Sequence, residues 1–334
     1  MKRFPLFILL VAVLLVGCSG KTEEPTPEPV IVTEEEVMTP EPTPEEAGPF
    51  YSDDRGFRAV TFRVDGGFVP SLKKALPEKE KFAENLSAQM IKALFWDIDH
   101  RRDVRKGDVV RLVYKPTRDR FKVRLYGVEY KSLRFEKTFR YFFFWEKDRK
   151  YPEYFSEAGE AVSKRMKNPP LKHYDDIVSL FRAGSKSNTG VVFRVPRGTK
   201  VRMPFPATVE RVNWDMDDLG LSVQVAYSGT DLHAQFLHLS AISEEVEPDA
   251  TLSTGTVFAR TGLTGKVKVP QLVYRLFKKN GDEIEYVDPF GFHGIETYTL
   301  QTSAYKDFVL VKHRVLALMN KVRLGDEPDQ EPAH

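Results

Sequence analysis

Only one cysteine, Cys18, occurs among the 334 residues. No internal disulfide can form, so an exported fold would draw its stability from its core alone. Nor is there an apolar run of the roughly 20 residues that a membrane-spanning helix needs. The run from Phe4 to Val16 is shorter, follows Met1-Lys2-Arg3 and ends at Gly17-Cys18-Ser19. A basic start, a short apolar centre and small residues at the end describe a secretory signal. Apolar side chains are scarce from 19 to 48, where Pro25, Pro27, Pro29, Pro40, Pro42 and Pro44 alternate with Thr and Glu. Such a composition cannot offset the entropy of ordering, and proline with like charges makes an extended tether. No nucleic-acid motif is present, so nucleic acid is not an expected partner.

Charge separates tether from body. Residues 1–48 hold nine Glu against Lys2, Arg3 and Lys21, while the whole chain carries +2, which leaves +8 on residues 49–334. A modest positive field favours an anionic neighbour such as cell wall or an acidic protein face.

The stretch 49–166 reads as an α+β module. Phe82, Leu86, Met90 and Leu94 recur at four-residue spacing and predict one amphipathic helix. Val109 to Tyr114 and Phe121 to Val128 flank a turn-like Lys115-Pro116-Thr117-Arg118-Asp119 and predict a hairpin. Tyr141 to Trp145 reads as a strand buried on both sides rather than a sugar-stacking platform. Asp97 and Asp99 have no identifiable acid-base partner and read as turn or cap residues. Residues 167–187, with Pro169-Pro170 and Gly184-Ser185, form a junction. Residues 188–293 contain short alternating runs separated by Gly, Asp and Pro, which predict a mainly antiparallel β domain. In 294–325, Phe308, Val311, Val315, Leu318 and Val322 predict a helix stopped by Gly325 that packs back on the body. A partner-binding helix is the alternative there. Residues 326–334 read as a disordered tail.

Three pieces of the β domain carry a resemblance. They are Pro196-Arg197-Gly198-Thr199, Phe236-Leu237-His238-Leu239, and Gly262-Leu263-Thr264-Gly265 followed by Pro270-Gln271-Leu272-Val273. Together they resemble the lysostaphin-like (LytM-type) metallopeptidases of peptidoglycan. In that family His-x-Gly-x-Asp precedes the Pro-x-Gly-Thr turn; the matching positions are Asn188-Thr189-Gly190-Val191-Val192. Its closing His-Leu-His becomes Gln271-Leu272-Val273. Of the family's zinc-binding and proton-handling positions only His238 keeps its type, as a remnant of the catalytic histidine.

Catalytic zinc needs about three imidazole, carboxylate or thiolate ligands and an open position for water. Val192 and Val273 have no lone pair, and Asn188 and Gln271 offer only neutral amide oxygens. The reading is therefore an inactive homologue with no catalytic residue, metal or cofactor. Alternation places Gln271, Val273 and Arg275 on one strand face, so Asn188, Val192, His238, Gln271, Val273 and Arg275 would form a groove that binds. His233, an odd number of residues from His238, is expected on the opposite face.

Further resemblances complete the expectation. Leu15-Val16-Gly17-Cys18 resembles the bacterial lipobox, which implies a signal over 1–17, a lipid on Cys18 and a tether over 18–48. Ser19, in place of an Asp retention signal, implies the outer membrane, with the body on its periplasmic side. Phe95 to Asp108 resembles a module that precedes LytM-type domains in Gram-negative endopeptidases and covers the groove in some of them. Degenerate LytM proteins include activators of periplasmic amidases. The implied function is a lipid-anchored pseudo-peptidase that binds peptidoglycan or an amidase and regulates cell-wall hydrolysis. Two alternatives stay open: an endopeptidase that recruits zinc ligands from His173, His293, Asp215, Asp217 or Asp218, and a non-catalytic cell-wall tether.

Overall fold

A computed structural model of the chain describes residues 48–325 apart from 78–80, 120–121, 148, 150 and 282. The signal, the lipidation position Cys18, the tether and the tail after 325 lie outside the described residues.

The first part runs β1 (Phe50–Ser52), β2 (Arg58–Arg63), α1 (Phe68–Ala75), α2 (Ala83–Leu94), β3 (Val109–Pro116), β4 (Val123–Ser132), β5 (Lys137–Phe144), β6 (Glu153–Ser156) and β7 (Glu160–Met166). The second part runs β8 (Asp176–Ser179), β9 (Val191–Arg194), β10 (Lys200–Arg202), β11 (Ala207–Val212), β12 (Leu221–Tyr227), β13 (Leu232–Ile242), β14 (Thr251–Leu252), β15 (Val257–Thr261), β16 (Gln271–Asn280) and β17 (Glu283–Val287). The chain then closes with α3 (Pro289–His293), β18 (Ile295–Thr299) and α4 (Thr302–Met319). The architecture is mostly antiparallel β-sheet with a few helices, as the sequence implies.

The first unit is a meander with helices on both faces. Its sheet has the order β1-β2-β3-β4-β5-β6-β7-β18. Leu112 and Tyr114 of β3 face a core with Leu72 of α1 and with Leu86 and Met90 of α2. Val113, between them, faces a second core with Phe308 and Val315 of α4. This two-sided burial explains why β3 reads as an unbroken apolar run and not as an alternating one. The same holds for β5: Phe142 and Phe144 enter the α4 core, while Tyr141 and Phe143 pack on the other side. The expected hairpin is β3–β4, antiparallel as predicted; Phe121, at its turn, lies outside the described residues. Asp99 serves local structure, since the Arg101 N–H donates to it (3.0 Å), whereas Asp97 makes a tertiary contact in place of the expected turn or cap: Tyr141 Oη of β5 donates to it (2.5 Å).

The C-terminal segment differs from its sequence reading in two ways. It contributes a strand as well as a helix, because β18 pairs antiparallel with β7. And α4 ends at Met319, six residues before Gly325, so Lys321 and Arg323 lie beyond its last turn. The apolar face of the helix is used internally, which leaves no open stripe for a partner. Gly127 of β4 makes the approach possible: a Cβ there would sit 2.3 Å from Val315 Cγ1 and 2.9 Å from Met319 Cε.

The second unit is a ten-stranded antiparallel sheet whose main path runs β14-β11-β12-β13-β16-β9-β8. One face supplies Val209, Val223, Val225, Ala234, Phe236, Leu272 and Tyr274 to a single core. The other face carries the candidate site. Trp96, just after α2, packs edge-to-face on Phe290 (centroids 4.9 Å apart) and touches the cores of both units.

Candidate functional site

The three sequence pieces meet around Thr261. Its Oγ1 donates to the Pro196 carbonyl (2.8 Å) and accepts from the Thr199 N–H (3.1 Å), and its own carbonyl accepts from Ser240 Oγ (2.7 Å). Thr264 Oγ1 donates to the Leu239 carbonyl (2.7 Å) and accepts from the Leu221 N–H (3.0 Å). These side chains satisfy backbone groups where strands end, so the turns persist whether or not a metal is held.

Gly190 has a similar structural reason. A Cβ there would lie 2.3 Å from the Tyr274 carbonyl oxygen and 3.0 Å from Arg275 Cα. Any side chain would push β9 away from β16, so packing alone is reason for a glycine here.

Two of the ligand positions come together, and both are valines. Val192 on β9 is directly opposite Val273 on β16, and Val273 is opposite Leu237 on β13. The sequence next adds one residue to β13. Val223 faces Phe236 and Leu221 faces Leu239, so three steps on β13 match two on β12. His238 sits in this bulge at φ 63. The core face holds Ala234, Phe236 and Leu239, so His233, Gln235, Leu237 and His238 all point to the other side. The expectation that His233 faces away from His238 is therefore overturned by the bulge. Separation still keeps the two apart, since five residues of strand span about 16 Å.

His238 is buried, and its Nδ1 donates to the Thr264 carbonyl (2.9 Å). That bond fixes the tautomer and leaves the lone pair on Nε2. Burial depresses its pKa, the bond to Thr264 partly opposes this, and the Arg275 charge depresses it further. The imidazole is thus neutral at pH 7. Such a group accepts a hydrogen bond well.

Arg275 lies two residues along the same face from Val273, opposite Gln235. Its guanidinium stands 6.0 Å from the Tyr286 ring centroid, and its buried Nε has no hydrogen-bond partner. Burial lowers the pKa of this arginine, and no carboxylate is paired with it among the described residues. Beyond it the face carries a polar network beside the ring of Phe277, which stacks on His233. Gln235 Nε2 donates to Gln224 Oε1 (2.9 Å), and Gln224 Nε2 donates to Glu210 Oε2 (2.8 Å). Glu210 also meets His233 Nδ1 (3.0 Å) and Lys279 Nζ (2.7 Å). Burial pushes the Glu210 carboxyl up, but the bonds from Lys279, Gln224 and His233 outweigh it and hold it below its ordinary value. Sequence reasoning missed this network, whose signal is the polar side chains at alternate positions of β12, β13 and β16.

Gln271 shares the face of Val273 and Arg275, and its N–H donates to the Gly262 carbonyl (3.2 Å). Asn188 is set apart at the edge, where its N–H donates to Ser185 Oγ (3.1 Å) and its Oδ1 accepts from Ser187 Oγ (3.2 Å). It lines a cavity between the two units.

The alternative ligands are dispersed. His173 is exposed. His293 is buried in a chain in which Tyr227 and Tyr274 hydroxyls meet (2.8 Å), Tyr274 donates to His293 Nε2 (2.7 Å), and His293 Nδ1 donates to the Asn168 carbonyl (2.7 Å). Asp215 accepts the Asp218 N–H (3.0 Å), and Asp218 pairs with Lys266. Among the described residues no three His, Cys, Asp or Glu side chains converge as a metal site. The donor set at the family's zinc position, two valines and two amides, does not fit zinc.

Residues 186–289 match the family described as Peptidase family M23, in agreement with the resemblance read from the sequence. An uncharacterized metalloprotease of Haemophilus influenzae is 28% identical over 176 residues. That alignment covers 50% of this chain and only 36% of the relative. Among solved structures, Helicobacter pylori Csd3 aligns over 78% of this chain and 67% of its own at 17% identity and TM-score 0.32. A zinc-containing peptidase from Vibrio cholerae aligns over 72% and 71% at 18% identity and TM-score 0.32. Lysostaphin from Staphylococcus simulans aligns over 36% and 49% at 18% identity and TM-score 0.33.

Proposed function

We propose that this protein is a pseudo-peptidase, held by a lipid on Cys18 at the periplasmic face of the outer membrane, that regulates cell-wall hydrolysis by binding through its altered groove. The observation that carries the reading is the contact of Val192 with Val273 across β9 and β16. Where the related enzymes hold a metal, this chain puts two isopropyl groups. No bound water is brought to low pKa there and no scissile carbonyl is polarised.

What remains suits recognition. The groove offers an apolar floor at Val192, Val273 and Leu237, a neutral acceptor at His238, and a cation without a carboxylate at Arg275. A partner that presents an acidic or carbonyl group over apolar side chains would fill it. A periplasmic N-acetylmuramoyl-L-alanine amidase is the partner we propose. Activation requires only that the groove bind the active state of the amidase better than the inactive one.

The first experiment measures zinc per polypeptide in the purified chain after incubation with equimolar zinc, and the second measures muropeptide release from sacculi by candidate amidases with and without it. Substoichiometric zinc together with increased release is the expected pair of results. One tightly held zinc would point to an active endopeptidase and end the pseudo-peptidase reading. Unchanged release by every periplasmic amidase would end the activator reading.

A further inference from the structure

The cavity between the two units has a volume of about 370 Å³ and is walled on one side by residues 95–102 and on the other by residues 178–188. We propose that it binds a short peptide through free carboxylate groups of that peptide. The site lies outside the groove described above and touches it only at Asn188.

Charge is the first argument. Arg101 and Arg102 come from the first unit and Arg182 from the junction, so three arginines from separate parts of the chain line one cavity. None of the three is in an ion pair among the described residues; Arg182 Nη2 reaches only the Phe95 carbonyl, at 3.5 Å. The one carboxylate in the wall, Asp99, already accepts the Arg101 N–H. Three arginines against the one carboxylate of Asp99 leave an excess of positive charge in the wall, and a carboxylate ligand would relieve it through the paired N–H geometry that a guanidinium offers.

The wall also discriminates among anions. Ile98 and Leu180, both buried, provide apolar surface beside the arginines, and the hydroxyls of Ser185 and Ser187 lie 3.3 Å apart on the opposite side. A bare inorganic anion would use only the charge. A peptide with carboxylates and methyl or methylene groups would use the charge and the apolar surface together, and the volume is in the range of small-ligand sites. The presence of a cationic site stands on the geometry alone. The choice of a peptidoglycan stem peptide as the occupant rests on the cell-wall reading proposed above. Because both units form the wall, an occupant would join them and steady the segment that leads through Asn188 into β9.

The test titrates the full chain, in mild detergent, with a free stem tetrapeptide, with the same peptide amidated at every carboxyl, and with inorganic phosphate. Calorimetry should give one saturable site for the free peptide, weakened by about tenfold or more on amidation. Arg101 and Arg102 are exposed, so the double variant Arg101→Ala, Arg102→Ala should fold normally and lose binding to a similar extent. Arg182→Ala is the second variant and should act alike. Equal binding of the amidated peptide, or unchanged affinity in both variants, would overturn the proposal. So would saturation by phosphate without any binding of peptide. Amidase activation separates this inference from the groove reading. A chain that binds peptide and activates nothing supports the cavity and removes the groove function, and a variant that activates normally while losing peptide supports both.

Discussion

In the first unit the sheet is finished by chain from the far end, with β18 beside β7 and α4 across the face that carries Val113 and Phe142. The strands of the second sheet come from residues 176–287 alone. The match to Peptidase family M23, residues 186–289, follows the contiguous unit almost to its ends. Charges are also treated differently. In the first unit buried Glu129 accepts from both Arg111 (2.8 Å) and Arg140 (2.5 Å), and Arg140 continues to Glu157 (2.9 Å). In the β domain Arg275 has no carboxylate beside it. In the β domain the turns around Thr261 and Thr264 and the close approach at Gly190 hold the shape, while the face with Val192 and Val273 gathers no metal-site cluster among the described residues.

The strongest way to break this comparison is to remove the link between chain ends. Phe308 is fully buried and lies within about 6 Å of the Phe142, Phe144 and Phe155 rings. Phe308→Ala should cost about 3–5 kcal/mol. Calorimetry should then resolve an early transition of the first unit ahead of the β domain. A single shifted transition would mean that the two units unfold as one.

Acid should act next, at the seam. Burial pushes the His293 pKa down to about 4, against an ordinary 6.5, and the bond to Asn168 only partly opposes this. The folded state therefore keeps the imidazole neutral while the unfolded chain takes up the proton. This stabilisation is complete above pH 6.5 and is lost as pH falls towards 4, on the order of 3 kcal/mol in all. Denaturant midpoints at pH 7.5 and 4.5 would show it, and His293→Phe should flatten the dependence through this window.

Gly190→Ala sharpens the comparison inside the β domain. The added methyl meets the Tyr274 carbonyl at the β9–β16 seam, and about 1–3 kcal/mol should be lost. Hydrogen exchange should quicken at Val191 to Arg194 before the rest of the sheet. The smallest effect on stability is expected at the groove. Arg275 is a half-buried cation whose Nε is unpartnered, so Arg275→Leu should change stability by less than about 1 kcal/mol and in either direction. It should nevertheless reduce amidase activation. A large loss of stability would give Arg275 a structural role instead.

Much of this architecture was legible locally. The four-residue spacing from Phe82 to Leu94 became α2, the hairpin around Lys115–Asp119 formed although β3 runs on through Lys115 and Pro116, and the aromatic run became a strand between two cores as far as Phe144. The loss of zinc ligands was also legible, since lone pairs belong to residue types and not to folds. Other features could not be read. Pairing of β18 with β7 joins residues about 130 apart, and nothing in either strand names the other. The bulge at His238 reverses the alternation on which the reading of His233 depended, and it exists only because β12 and β13 differ by one residue between fixed contacts.

The sequence by itself therefore determined which donor chemistry these four positions lack: valine and amide side chains cannot supply what imidazole and carboxylate supply, whatever surrounds them. Tertiary structure alone decided what stands in its place. Arg275 without an acid, His238 held to Thr264, and three arginines around a cavity between two units are consequences of burial and of contacts between distant segments, and both are set only when the whole chain has closed.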